Sequence, residues 1–119
     1  MIRSLTWFRE GQVVEGTNQG ASYRLDADYE FVGVYLNAKT APTGRNLVVD
    51  INMDGSTLFD TLKPSLAING TSDIYESPLN TLTVLPKDSV ITMDVDYAGN
   101  EESGRDLTVQ LDLELVSEE

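Results

Sequence analysis

Apolar residues recur at every second position through most of this chain. Over 106–116, Leu107, Val109, Leu111, Leu113 and Leu115 alternate with Asp106, Thr108, Gln110, Asp112 and Glu114. A period of two sends one set of side chains to each side of an extended backbone, so the segment reads as a strand with one buried and one wet face. The same pattern predicts strands over 46–53, with Leu47, Val49, Ile51 and Met53 inward, and over 89–97, with Ile91, Met93, Val95 and Tyr97 inward. Residues 29–37 form another strand, with Val32, Val34 and Leu36 on one face and Tyr29, Phe31 and Tyr35 on the other. Gly33 in its middle marks a bulge or a close backbone approach. Shorter stretches at 2–9, 21–25, 57–62, around Ile74-Tyr75 and at 81–85 bring the total to roughly eight or nine strands, and no segment carries a helical period. Their spacing of about ten residues predicts an all-β, antiparallel, jelly-roll-like sandwich of about eight strands.

Turn chemistry punctuates the pattern. Asp54-Gly55 is a two-residue hairpin signal, because a type I′ turn needs positive φ at both central positions. Asn18-Gln19-Gly20, Asp26-Ala27-Asp28 and Asn69-Gly70 read as turns, and Pro64, Pro78 and Pro86 as breaks. One loop-strand device occurs twice. Thr43-Gly44-Arg45-Asn46-Leu47-Val48-Val49-Asp50-Ile51-Asn52-Met53 matches Ser103-Gly104-Arg105-Asp106-Leu107-Thr108-Val109-Gln110-Leu111-Asp112-Leu113. This repetition suggests two long hairpins, 29–53 and 89–116, each closed by a Gly-Arg loop and placed as a symmetric pair.

Composition narrows the chemistry. The 119 residues suit one domain, and neither cysteine nor histidine is present. Disulfides, thiol catalysis and Ser-His-Asp or Cys-His mechanisms are thereby excluded. The net charge is −12, with eight acids against five bases in residues 1–60 and twelve against three in 61–119. A field of that sign repels phosphate, so neither nucleic acid nor an anionic membrane is an expected partner. The start, Met1-Ile2-Arg3-Ser4-Leu5-Thr6-Trp7-Phe8-Arg9, has no apolar leader region, so the expected place of synthesis is a cytoplasm.

Candidate sites are few. Asp50, Asn52 and Asp54, followed by Gly55, match the first half of a calcium loop, but the second half fails, with Leu58 and Thr61 where oxygen ligands belong. Strand alternation and the hairpin turn explain the same residues. Asp94 and Asp96 share a strand face. Beside 46–53 they would cluster with its acids, either as a weak cation site or as a solvated acidic face. Paired carboxylates for glycoside hydrolysis would need a cleft that nothing in the pattern announces. The aromatics Trp7, Phe8, Tyr23, Tyr29, Phe31, Tyr35, Phe59, Tyr75 and Tyr97 could stack on sugars or pack across strands. Asn69-Gly70-Thr71 fits a glycosylation triplet but reads as a turn. Arg45 and Arg105 would pair either with a neighbouring subunit or with nearby loop acids such as Glu101 and Asp106.

Taken together, Ala41-Pro42-Thr43-Gly44-Arg45-Asn46-Leu47 through Asp54-Gly55-Ser56-Thr57-Leu58-Phe59, and Asp88-Ser89-Val90-Ile91-Thr92-Met93-Asp94-Val95-Asp96-Tyr97-Ala98-Gly99 with Ser103-Gly104-Arg105-Asp106-Leu107, resemble a β-sandwich module of tailed-bacteriophage structural proteins. The resemblance spans roughly residues 22–115. It implies a non-enzymatic virion protein without cofactors, made in the bacterial host and carried on the particle. A capsid decoration protein bound as a trimer to the major capsid protein is the first expectation. A tail- or fibre-associated module that binds a host surface glycan is the second. Residues 1–20 then become a candidate docking arm with Trp7 and Phe8 as anchors, ahead of a sandwich over 21–119.

Overall fold

The computed structural model describes residues 2–59, 62–75 and 84–116. Ten strands appear in it: β1 (Ile2–Gln12), β2 (Tyr23–Arg24), β3 (Tyr29–Thr40), β4 (Leu47–Met53), β5 (Ser56–Thr57), β6 (Ser65–Leu66), β7 (Ser72–Tyr75), β8 (Val84–Leu85), β9 (Val90–Tyr97) and β10 (Arg105–Leu115). Among the described residues there is no helix. The strands form two antiparallel sheets, in the order β1-β10-β3-β7 with β8 also beside β3, and β2-β9-β4-β5 with β6 also beside β4. Because β5 and β6 both flank β4, and β7 and β8 both flank β3, the ten strands fill eight lanes. Going along the chain, β1, β3, β7, β8 and β10 fall in the first sheet and β2, β4, β5, β6 and β9 in the second. Two four-lane sheets joined by crossings of this kind make the expected jelly roll.

The inner faces meet in one core. Leu107, Val109, Leu111 and Leu113 of β10 and Leu47, Val49 and Ile51 of β4 are wholly buried, as their alternation requires. Ile91, Met93 and Val95 of β9 join them. Phe59 packs edge-on between Phe31 and Tyr75, with centroid separations of 6.2 and 5.2 Å.

The two Gly-Arg loops do not close hairpins. β3 and β4 lie in different sheets, as do β9 and β10, so each loop carries the chain over the end of the sandwich. Alternation fixes which face of a strand is buried but not which strand lies beside it, and a crossing lets both strands turn their apolar faces to one core. The repeat is nonetheless structural. The two crossings run side by side: Thr43 N donates to Glu102 O at 2.9 Å, and Glu101 N donates to Thr43 O at 3.1 Å. Gly44 and Gly104 both have positive φ, of 83° and 107°. In both copies the side chain two residues after the glycine accepts a hydrogen bond from the backbone of a neighbouring segment. Asn46 Oδ1 accepts from Ile68 N at 3.0 Å, and Asp106 Oδ1 accepts from Gly11 N at 2.7 Å.

Two bulges reverse the expected faces. In β3, Gly33 lies opposite Asp112 and Phe31 opposite Leu113, so Val32 is an extra residue. Tyr29 and Phe31 therefore point inward before it, Val34 and Leu36 inward after it, and Val32 outward. The bulge expected at Gly33 is present, but the face assignment that ran straight through it is corrected. In β9, Val48 lies opposite Tyr97 and Val49 opposite Val95, making Asp96 the extra residue. Tyr97, expected inward, is turned out to 51% exposure, and Ala98 takes the inner place.

Residues 1–20 are not a separate arm. β1 pairs with β10 from Ile2 to Gln12 as the edge of the first sheet. Gly16 then exchanges backbone hydrogen bonds with Val95, and Gln19 N donates to Met93 O, both at the edge of the second sheet. The return strand expected over 57–62 is only Ser56–Thr57, with Leu58 and Phe59 buried beyond it. Its residues 60–61 lie outside the described residues, as do Pro78 and 81–83 of the strand expected at 81–85.

Backbone packs closely against backbone where the two crossings meet. A Cβ on Gly99 would overlap the Glu102 carbonyl oxygen and lie 2.8 Å from Thr43 N, all of it backbone. Gly55, at φ 88°, has nothing within 4 Å of that position. Urea unfolding should therefore show Gly99→Ala losing about 2–4 kcal/mol and Gly55→Ala only about 1 kcal/mol. Equal losses at the two sites would contradict the packing described.

Candidate functional site

The pairing of β4 with β9 sets Asp50 directly opposite Asp94, and the bulge adds Asp96 to the same outer face. Carboxylate oxygens of Asp50, Asp94 and Asp96 lie within 4.8 Å of one another. Asp50 is only 5% exposed. Three like charges at this separation repel strongly where water is scarce, so they need a counter-charge. Lys63 supplies it, with Nζ 2.7 Å from Asp96 Oδ2 and 3.2 Å from Asp50 Oδ2. Thr57 Oγ1 donates to Asp50 Oδ1 at 2.5 Å. Asn52 Nδ2 donates to Asp94 Oδ2 at 2.8 Å, and Asn18 N donates to Asp94 Oδ1 at 2.9 Å. The clustering expected if β4 and β9 were neighbours is present, but its acids are engaged by the chain's own donors. The hydrogen bond to Asp96, reinforced by Asp50, holds the Lys63 pKa above the usual lysine value, against the opposing effect of burial.

The candidate calcium loop is not formed. Asp50 and Asn52 lie on β4, whereas Asp54 and Gly55, at φ 52° and 88°, make the hairpin turn. Asp54 Oδ1 accepts from Val90 N at 2.9 Å, away from the cluster. Thr61, the last loop position, lies outside the described residues.

A groove of about 510 Å³ adjoins the cluster, lined by Val48, Leu62, Lys63, Ser65, Asp96 and Tyr97. A bulge sets consecutive side chains on one side of a strand. Here it aligns the Asp96 carboxylate with the Tyr97 ring along the groove. Arg45 braces that ring, its guanidinium carbon 5.1 Å from the centroid. Arg45 is itself fixed, donating from Nε to Ala98 O at 3.0 Å and from Nη2 to Glu15 Oε2 at 2.6 Å.

The other candidates fall elsewhere. Trp7 is 1% exposed, so it is a core residue and not a surface anchor. Its Nε1 donates to Ala21 O at 2.7 Å, and its ring meets Tyr23 edge-on at 5.4 Å. Phe8, one residue on, is 54% exposed. Arg105 lies 3.7 Å from Glu102, and Arg45 pairs with Glu15, so the loop acids that hold them are neither Glu101 nor Asp106. Lys63 and the outward turn of Tyr97 escaped the sequence reading. Lys63 falls between the strand expected over 57–62 and the break at Pro64, where alternation assigns it no face, and a bulge leaves no mark on an alternating pattern.

Compared with known proteins, the sequence matches no family model, and no curated protein matches it significantly. The resemblance to a phage module therefore stands on the quoted motifs alone.

Replacing Lys63 tests its role. Lys63→Met leaves Asp50 buried without its cation and should cost about 1–3 kcal/mol in urea unfolding, part of which Asp50→Asn should restore in the double variant. The raised lysine pKa fixes the sign with pH. The stabilisation is fully present below the unfolded-state lysine pKa and is lost as pH rises through the higher folded-state value. Wild type should thus lose stability on the alkaline side of the ordinary lysine value of 10.5 by more than Lys63→Met does. Parallel alkaline profiles would remove Lys63 from the cluster's energetics.

Proposed function

We propose that this chain is a non-enzymatic structural protein of a tailed-phage virion, a capsid decoration protein that docks through the outer face of its first sheet. The observation that carries the reading is the distribution of charge over the two sheets. Strand register aligns Thr6, Gln110, Tyr35 and Ile74 in one row across that face, and Phe8, Thr108, Asn37 and Ser72 in the next. Neither row holds a charge, in a chain with 20 acids. Phe8 and Ile74, at 54% and 65% exposure, end the two rows at opposite edges, and Val32 is lifted beside them by its bulge. Charged residues lie beyond the rows, Asp112 on one side and Lys39 with Asp106 on the other. An uncharged centre with a charged rim is the anatomy of a protein interface.

Other features support the same reading. Jelly rolls are an architecture of viral capsid and lectin domains. The doubled Gly-Arg device resembles the phage module, and histidine and cysteine chemistry is absent. The proposed partner is the major capsid protein, with the chain assembled as a trimer and carried on the virion after synthesis in the bacterial cytoplasm. A tail- or fibre-borne glycan-binding module is the second reading, favoured by the groove beside Tyr97.

Mass spectrometry of density-purified particles, normalised to the major capsid protein, tests the proposal. Hundreds of copies per particle are expected, and Phe8→Asp should reduce them at least tenfold without unfolding the sandwich. A handful of copies would move the protein to the tail, and absence from particles would refute the virion reading.

A further inference from the structure

The groove beside Tyr97 brings together a braced aromatic ring, an ion pair and apolar side chains. Its volume of about 510 Å³ falls within the usual range of small-molecule sites, about 300–1,000 Å³. Three features set it apart from an incidental surface furrow. The Tyr97 ring is half exposed yet braced by Arg45, which is tied in turn to Ala98 and Glu15. An aromatic ring held in place loses little entropy when a ligand stacks on it. Asp96 and Lys63 lie side by side on the groove wall, 2.7 Å apart and each about 30% exposed, so an acceptor and a donor are offered together. Val48 and Leu62 add apolar surface to the wall that carries the ring.

Charge excludes two of the ligand classes. An anion would face Asp50, Asp94 and Asp96 in a chain of net charge −12. A cation would have to displace Lys63, which already bridges two of those carboxylates. A neutral ligand with a flat apolar face and a fringe of hydroxyls suits what remains, since each hydroxyl both donates and accepts. We infer that the groove lined by Tyr97, Asp96, Lys63 and Leu62 binds a neutral saccharide, its pyranose face stacked on Tyr97 and its hydroxyls shared between Asp96 and Lys63. This names the ligand class and residues of the second reading above and does not require docking to a particle. The site lies on the second sheet, so a module held by the outer face of the first would leave it open to solution.

The test uses the isolated 119-residue chain labelled with ¹⁵N, titrated with neutral malto-, cello-, chito- and galacto-oligosaccharides. Amide shifts should be confined to the neighbourhoods of Val48, Leu62–Ser65 and Asp96–Tyr97 for at least one series. Tyr97→Ala should then weaken binding about tenfold, and Asp96→Asn should weaken it while an Ile74→Ala control on the outer face of the first sheet leaves it unchanged. Because loss of Asp96 could perturb the fold, Leu62→Ala serves as a second lining variant that touches no ion pair, and it too should weaken binding. Shifts elsewhere on the molecule, no shifts with any series, or full affinity in Tyr97→Ala would overturn the inference. Particle copy number is read separately, so failure here leaves the docking proposal standing, and the reverse holds as well.

Discussion

The inner face of β10 is the contact on which the rest of the sandwich depends. β10 sits between β1 and β3, the edge strand and the long central strand of the first sheet. Its Leu107, Val109, Leu111 and Leu113 are fully buried, each contributing about 1.5–3 kcal/mol of apolar burial. Ile2 lies opposite Glu114, so the first strand is held by the last one described. The first sheet is therefore continuous only when the last strand has arrived between two of the earliest. Contacts of such large sequence separation carry a high loop-closure cost before they stabilise anything. The paired Gly-Arg crossings offset part of it. They fix the end of β3 against the start of β10, and the start of β4 against the end of β9, through the same Thr43–Glu102 contact.

Much of this was legible in the chain. Alternation identified the core-facing residues of β4 and β10 and three of the four assigned to β9, but not the burial of Asp50 and Asn52 on the outer face of β4, and Asp54-Gly55 announced its hairpin. The reason is local: side-chain direction in a strand follows from backbone geometry, and a two-residue turn from allowed φ. Pairing is not local. The same alternation fits a hairpin or a crossing, which is why the repeated loops read as hairpin closures and proved to be passages between sheets. Bulges are illegible for a related reason. Val32 and Asp96 become extra residues only against a partner strand, and each shifts the face of everything beyond it. Trp7 shows the limit for single residues, since an aromatic near a chain start looks like an anchor until its ring is found sealed against Tyr23.

The candidate site was half visible. Asp50, Asp94 and Asp96 could be foreseen as neighbours once β4 and β9 were adjacent, but what neutralises them could not. Lys63 lies just beyond the strand expected over 57–62, and only tertiary structure brings it over the acids. Its presence changes the meaning of the cluster. Three carboxylates with an aqueous outlook would attract a divalent ion. The same three, bonded to an ammonium, a hydroxyl, an amide and a backbone N–H, form a network in which each carboxylate has a partner, while Asp96 and Lys63 stay partly open to the groove.

The two sheets thus present contrasting outer surfaces. One carries acids balanced by a resident lysine and shaped by a bulge into a groove. The other carries two rows without charge, flanked by exposed apolar side chains. For a molecule of net charge −12, association with an acidic neighbour or with another copy of itself costs least where charge is missing, because no ions must be desolvated and no like charges are brought together. The outer face of the first sheet meets that condition over two full rows. The outer face of the second does not, because Asp50, Asp94 and Asp96 belong to it. A bulge serves each face differently: at Val32 it lifts an apolar side chain beside the uncharged rows, and at Asp96 it sets a carboxylate and a tyrosine in line along a groove. One device, an extra residue in a strand, thereby adds an exposed apolar side chain to one face and shapes a groove on the other.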